Sequence, residues 1–167
     1  MPALPSDVFA GELRSEGLRD WIIQLREAGY IHEGRGERTL QMWICSHLVQ
    51  KFFSAESGVY RIRPIIIEER ALQGDSDIGD IMLPSQSVNG KIDVWVEIKN
   101  HFGCSTLSDT QMKNLEKDFV KCRRNIEKGG LGVVLITMDR VEDAEAVTSP
   151  LALKYEGVQV VTIGRGG

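Results

Sequence analysis

Residues 131–139 read "LGVVLITMD", a run that stays apolar from Val133 to Ile136 with no polar side chain between. Such a stretch cannot turn one face to water. It fits a strand covered on both faces, which requires a sheet with helices above and below. The preceding segment, 107–130, carries Met112, Leu115, Phe119, Cys122 and Ile126 at steps of three and four, with Ser108 as a cap and Gly129 or Gly130 as the stop. Before it, "KIDVWVEIKN" (91–100) alternates apolar and polar residues with the period of a strand. A strand, a helical crossover and a buried strand in succession predict a mixed sheet flanked by helices.

The rest of the chain fills in that plan. Leu18, Trp21, Ile22 and Leu25 predict a helix over 15–30, and Leu40, Ile44 and Leu48 a second over 37–53. Residues 59–70 read as a strand with Pro64 at an edge or bulge, 77–83 as another, and 158–164 as the last. Residues 1–14 read as loosely structured, and 140–150, "RVEDAEAVTSP", as a loop with a helical turn. The expected order is α-α-β-β-β-α-β-β, with an N-terminal helical extension (1–34) and a domain at 35–167 forming one compact unit.

Asn89-Gly90 is a strong hairpin-turn signal between the second and third strands. A two-residue turn there opposes Val88 to Lys91. It pairs Ile81 with Ile98 and Leu83 with Val96 on an apolar face, and brings Asp80 and Glu97 diagonally together on the other. A longer loop, with the pairing shifted by two, opposes Asp80 to Glu97 directly. A slip by one would bury Asp80 in the core. Both allowed registers put Asp80, Glu97 and Lys99 on one face. Two converging carboxylates beside an amine suit a hard cation such as Mg²⁺, which takes one or two carboxylates and several waters. The plain alternative for Glu97 and Lys99 is a solvated ion pair worth under roughly 1 kcal/mol.

This constellation resembles the PD-(D/E)xK nuclease superfamily over roughly residues 35 to 140, with Asp80 in "DIGDIML", Glu97-Ile98-Lys99 in "VEIKN", and Glu37 early in the first core helix. The resemblance implies a restriction-endonuclease-like α/β core and a Mg²⁺-dependent endonuclease, with Mn²⁺ able to substitute. It implies Asp80, Glu97 and the Ile98 carbonyl as metal ligands, Lys99 assisting the attacking water, and Glu37 in support. Position 79 is Gly where many members have Pro, and Asp75 and Asp77 lie close to Asp80. Gln111 matches a helix glutamine of some members, but Leu115 stands where their tyrosine would be.

The formal net charge of -4 provides no global attraction for nucleic acid, so a nucleic-acid partner needs a local basic surface. Lys113, Lys117, Lys121, Arg124 and Lys128 line one face of the 107–130 helix, and Arg61 and Arg63 alternate on a strand. The substrate-contact candidates are Gln111, Arg61, Arg63, Lys113 and Lys117, although a basic stripe is also an ordinary solvent face. The expected partner is DNA, with RNA open, together with a homodimer or protein partner and no membrane. Three widely spaced cysteines and no CxxC pair predict a reduced, cytoplasmic chain without structural zinc. The competing expectation is a catalytically inactive module of the same fold that binds nucleic acid or serves in an assembly.

Overall fold

The computed structural model describes residues 2–33, 36–53, 60, 65–67 and 79–166. In chain order its elements are α1 (Ser6–Glu12), α2 (Glu16–Glu27), α3 (Glu37–Phe53), β1 (Ile66–Ile67), β2 (Ile81–Pro84), β3 (Ile92–His101), α4 (Asp109–Glu127), β4 (Leu131–Arg140), α5 (Val141–Lys154) and β5 (Gln159–Arg165). The strands form one sheet in the order β1-β2-β3-β4-β5, antiparallel from β1 to β3 and parallel from β3 to β5.

The apolar run of β4 lies inside that sheet, and its side chains divide between two cores. Val133 and Leu135 join Val96 and Ile98 of β3 and Val161 and Ile163 of β5 beneath α1, α2 and α3. Val134, Ile136 and Met138 join Trp95, Leu115, Phe119 and Cys122 on the α4 and α5 side. Leu18 and Ile22 of α2 lie in the same core as Leu40 and Ile44 of α3, so the N-terminal helices cover the sheet directly. Among the described residues no helix is long and apolar enough to cross a membrane.

Two helices correct the expected order. Residues 6–12, read as loose, form α1: Pro5 sets an extended entry, and Phe9, Ala10 and Leu13 take the buried side. Val141–Lys154, read as a loop with one turn, is the helix α5. Its Ser, Thr and Pro150 imitate loop chemistry, but Ala144, Thr148 and Leu151 fall on one buried face, and Glu142 and Asp143 suit the N-terminal dipole. Of the strand expected at 59–70, Ile66–Ile67 is observed, pairing with Met82 and Ile81. Arg61, Arg63, Pro64, Asp75 and Asp77 lie outside the described residues.

The two-residue hairpin register is also overturned. Ile81 pairs with Val96, Met82 with Trp95 and Leu83 with Val94, the arrangement shifted by two. Asn89-Gly90 still makes the bend, with Gly90 at φ 79°. A bulge between Leu83 and Pro84 moves the pairing by one residue, so that Pro84 stands opposite Ile92, and the ladder ends just beyond Pro84, which has no N–H to give it. Ser85 then organises a longer loop. Its N–H donates to the Lys91 carbonyl at 2.9 Å, and its Oγ accepts the N–H groups of Ser87 and Val88 at 3.2 and 3.0 Å.

α4 rests closely on β4 because position 132 has no side chain. A Cβ there would stand 2.6 Å from the Cys122 carbonyl oxygen and 2.7 Å from the Cys122 Cβ. Gly132→Ala is therefore expected to destabilise the fold by about 1–3 kcal/mol. Gly17→Ala in α2, where a Cβ meets nothing within 4 Å, should gain up to about 1 kcal/mol from the lost flexibility of the unfolded chain. Urea titrations of the two variants check both signs.

Candidate functional site

β2 ends before β3 does. Ile81 opposite Val96 is the last pair between them, while β3 continues to His101 along β4. Strand geometry sends the N–H and C=O groups of Ile98 and Asn100 to the edge that β2 has left. Side chains complete that edge. Asp80 Oδ2 accepts the Ile98 N–H at 2.6 Å. Glu37, the first residue of α3, accepts the Asn100 N–H. One turn further along α3, buried Gln41 donates to the Asp80 carbonyl and fixes that residue from behind. Gly79 lets the chain enter this position close to Met82 and the Trp95 ring, against which a Cβ would press at 2.8–3.0 Å.

On the α4 face of β3, Trp95, Glu97 and Lys99 follow one another. Trp95 Nε1 donates to Glu97 Oε1 at 3.0 Å. α4 contributes two further charges from its inner side. Lys121 Nζ lies 3.4 Å from Glu97 Oε1, and Asp118 Oδ2 lies 3.2 Å from Lys99 Nζ. Lys99 also reaches Glu37 Oε1 at 3.7 Å. Glu37, Asp80, Glu97 and Asp118 thus share one region with Lys99 and Lys121.

Burial governs the protonation states. It pushes the Glu97 carboxyl up to about 9, with Asp80 and Asp118 adding repulsion that the Trp95 hydrogen bond and Lys121 do not offset. Asp118 is raised to about 6 by burial, against the pull of Lys99 and Lys121. Glu37 is raised as well, burial outweighing Lys99. For Lys99, burial acts downward, but Asp118 and Glu37 hold the ammonium above its usual value. Lys121 is likewise raised, since Glu97 and Asp118 prevail over burial. Of this pair Glu97 decides the outcome: it is almost fully buried and faces two like charges against one opposite, so it holds its proton beside the Lys121 ammonium.

Among the described residues, no three His, Cys, Asp or Glu side chains converge as a ready cage for a metal ion. The donor set nevertheless fits a hard cation that keeps its own water. Asp80 follows the hairpin register to a place opposite Glu97, and the Ile98 carbonyl leaves β3 on the Asp80 edge. The surplus of negative charge is answered here by a proton on Glu97 and the ammonium of Lys121 beside it.

Of the residues singled out in the sequence, Glu37, Asp80, Glu97, Ile98 and Lys99 come together. Gln111 does not: it closes the capping box of α4, its side chain accepting the Ser108 N–H at 2.8 Å. Lys113 and Lys117 line a groove on the outer side of α4. The sequence alone does not single out Gln41 or Asp118 as site residues, and it presents Lys121 only as one member of the basic stripe. Asp118 did carry a signal, since it stands three residues after Leu115 and four before Cys122, on the buried stripe of its helix.

The raised carboxyls tie stability to pH. A carboxyl that titrates higher in the folded than in the unfolded chain makes the folded state the better proton binder, so stability falls as pH rises between the two values. For Glu97 this window runs from 4.5 to about 9. Asp118 completes its change near 6, and His101, held below 6.5 by burial and Lys99, acts in the opposite sense only below that value. Between pH 7 and 8.5 Glu97 contributes no more than about 1.4 kcal/mol per pH unit, with Glu37 and the buried thiols of Cys45 and Cys122 acting in the same sense. The melting temperature should fall over that range by up to about 4–8 °C, and Glu97→Gln should flatten the slope and melt higher at pH 8. Parallel slopes for the two proteins in matched buffers would refute this.

The chain matches no protein-family model, no curated protein and no solved structure.

Proposed function

We propose that the chain is a Mg²⁺-dependent endonuclease of the PD-(D/E)xK type, with a restriction-endonuclease-like core, acting on DNA. The observation that carries the reading is the register of β2 on β3, which leads Asp80 to Glu97 while Lys99, on the Glu97 face, is held by Asp118 and Glu37. Asp80, Glu97 and the Ile98 carbonyl would hold the ion. Bound Mg²⁺, or Mn²⁺ in its place, lowers the pKa of a coordinated water and stabilises charge on a phosphoryl oxygen.

The chain's own groups do the remaining work. Lys99 stays an ammonium at neutral pH, because Asp118 and Glu37 favour its charged form. It is therefore a fixed positive charge for the phosphate and an orienting donor for water, not a base. Glu37, raised by burial and beside Lys99, is a better proton acceptor than a surface carboxylate. Hydrolysis adds the water oxygen to phosphorus and breaks the bond to the leaving sugar oxygen, which takes up a proton. One such site cuts one strand, so cleavage of both strands calls for a second copy or two encounters. RNA presents the same phosphodiester and belongs in the substrate panel.

A second reading, a binding or assembly module that no longer cuts, draws on one observation: Asp80 and Glu37 already cap N–H groups of β3. A plasmid-nicking assay decides between them. The nuclease reading expects nicking with Mg²⁺ or Mn²⁺ that stops with chelator, and a loss of about 100-fold or more in Lys99→Ala and Asp80→Asn. Glu97→Gln should lose activity equally while gaining stability at pH 8. Metal-dependent nicking unchanged in these variants sinks the reading, and DNA binding without any nicking favours the module.

A further inference from the structure

Lys121 stands between two environments. Its ammonium is 3.4 Å from Glu97 Oε1, whose side chain is 3% exposed, yet Lys121 itself keeps 28% of its side-chain surface. That outer part lines the groove along α4, of about 440 Å³, together with Lys113, Lys117 and Arg124. The acid in the groove, Glu116, is already engaged: Lys154 Nζ and the Tyr155 hydroxyl hold it at 2.6 and 2.7 Å. The groove wall is thus a row of cations whose innermost member lies against a carboxyl of the candidate metal site.

We infer that Lys121 is an exchangeable cation at Glu97. It lies against Glu97 while no divalent cation is bound; when a divalent cation takes that place, the Glu97 proton passes to solvent and the ammonium moves along the α4 groove to a substrate phosphate. The inference rests on the nuclease reading and adds to it a coupling between metal and substrate. A lysine has the means for this exchange, since its charge sits on a flexible four-carbon stem that reaches about one turn of helix. Two cations cannot share Glu97 without strong repulsion, so binding of one favours departure of the other. A phosphate near Lys117 and Arg124 offers the displaced ammonium a new anion. Linkage then makes the effect mutual: divalent cation strengthens the grip on nucleic acid, and nucleic acid strengthens the grip on divalent cation.

A purely structural ion pair predicts otherwise, and two measurements separate the cases. Calorimetric titration with Mn²⁺, without DNA, compares the wild type with Lys121→Gln. Loss of the competing ammonium should tighten Mn²⁺ by about 5-fold or more. Lys113→Gln, in the groove but remote from Glu97, should bind Mn²⁺ as the wild type does. Fluorescence anisotropy with a short DNA duplex, in a Lys99→Ala background that leaves the duplex uncut, then compares affinity with and without Mn²⁺. Lys121→Gln should matter little without Mn²⁺, and with it should weaken binding and lower the salt slope by about one. Thermal melts of each variant, with Lys121→Met retaining the apolar stem, guard against misfolding. Wild-type Mn²⁺ binding that Lys121→Gln leaves unchanged or weakens overturns the exchange and leaves the nuclease reading intact. Absence of Mn²⁺ binding in every folded variant overturns both.

Discussion

Two backbone N–H groups, those of Ile98 and Asn100, lose their strand partner where β2 stops, and carboxylates take them instead. The geometry of the candidate site depends on this substitution. Left bare and buried, each N–H would cost about 1–3 kcal/mol. Met by Asp80 and Glu37, they fix the start of β2 and the start of α3 against the same edge of β3. Gln41 secures the arrangement from the other side by holding the Asp80 carbonyl. The helix, the hairpin and the central strand are thus registered against one another by a few bonds, and Glu97 and Lys99 acquire defined neighbours.

Those neighbours set a balance of charge in which acids exceed bases. Glu97 has Asp80 and Asp118 near it and is nearly excluded from water, which is why its proton is retained to high pH. Lys99 has the opposite surroundings and keeps its charge. One strand face therefore holds a carboxyl poised to lose a proton when positive charge arrives and an amine that does not lose its own. Two groups two residues apart are driven in these directions by what α3, α4 and β2 place beside them, not by their own chemistry.

Much of the frame was legible in the chain because burial on both faces leaves a strong mark. The apolar run at 133–136 required a central strand, and the alternation at 92–99 placed Trp95, Glu97 and Lys99 together. α5 was harder to read because Thr148, Ser149 and Pro150 are turn formers by propensity, and only packing of Ala144 and Leu151 on the sheet makes them helical. The hairpin register turned on Pro84 and Ser85. The Asn-Gly bend was recognised, but the missing N–H of Pro84 and the Ser85 hydroxyl decide how far from the bend the ladder begins. Asp118 and Lys121 belong to the site through tertiary contact. A stripe of lysines on a helix says nothing of which one turns inward until the strand beneath it is known.

The choice of carboxylates at the β3 edge bears on why the cluster exists. Asparagine or glutamine oxygen accepts an N–H as well as a carboxylate does in geometry, without adding like charge beside Glu97. A sequence selected for stability alone would use such neutral caps at positions 37 and 80, because buried ionic groups seldom repay their loss of hydration. Here acids stand at both, a third is forced to hold its proton and a fourth sits beneath Lys99. The arrangement concentrates negative charge where the fold gains least from it. A cation entering with its own water and meeting a phosphate would turn that disadvantage into binding energy, which is the argument for the proposed chemical role of the cluster over a purely structural one.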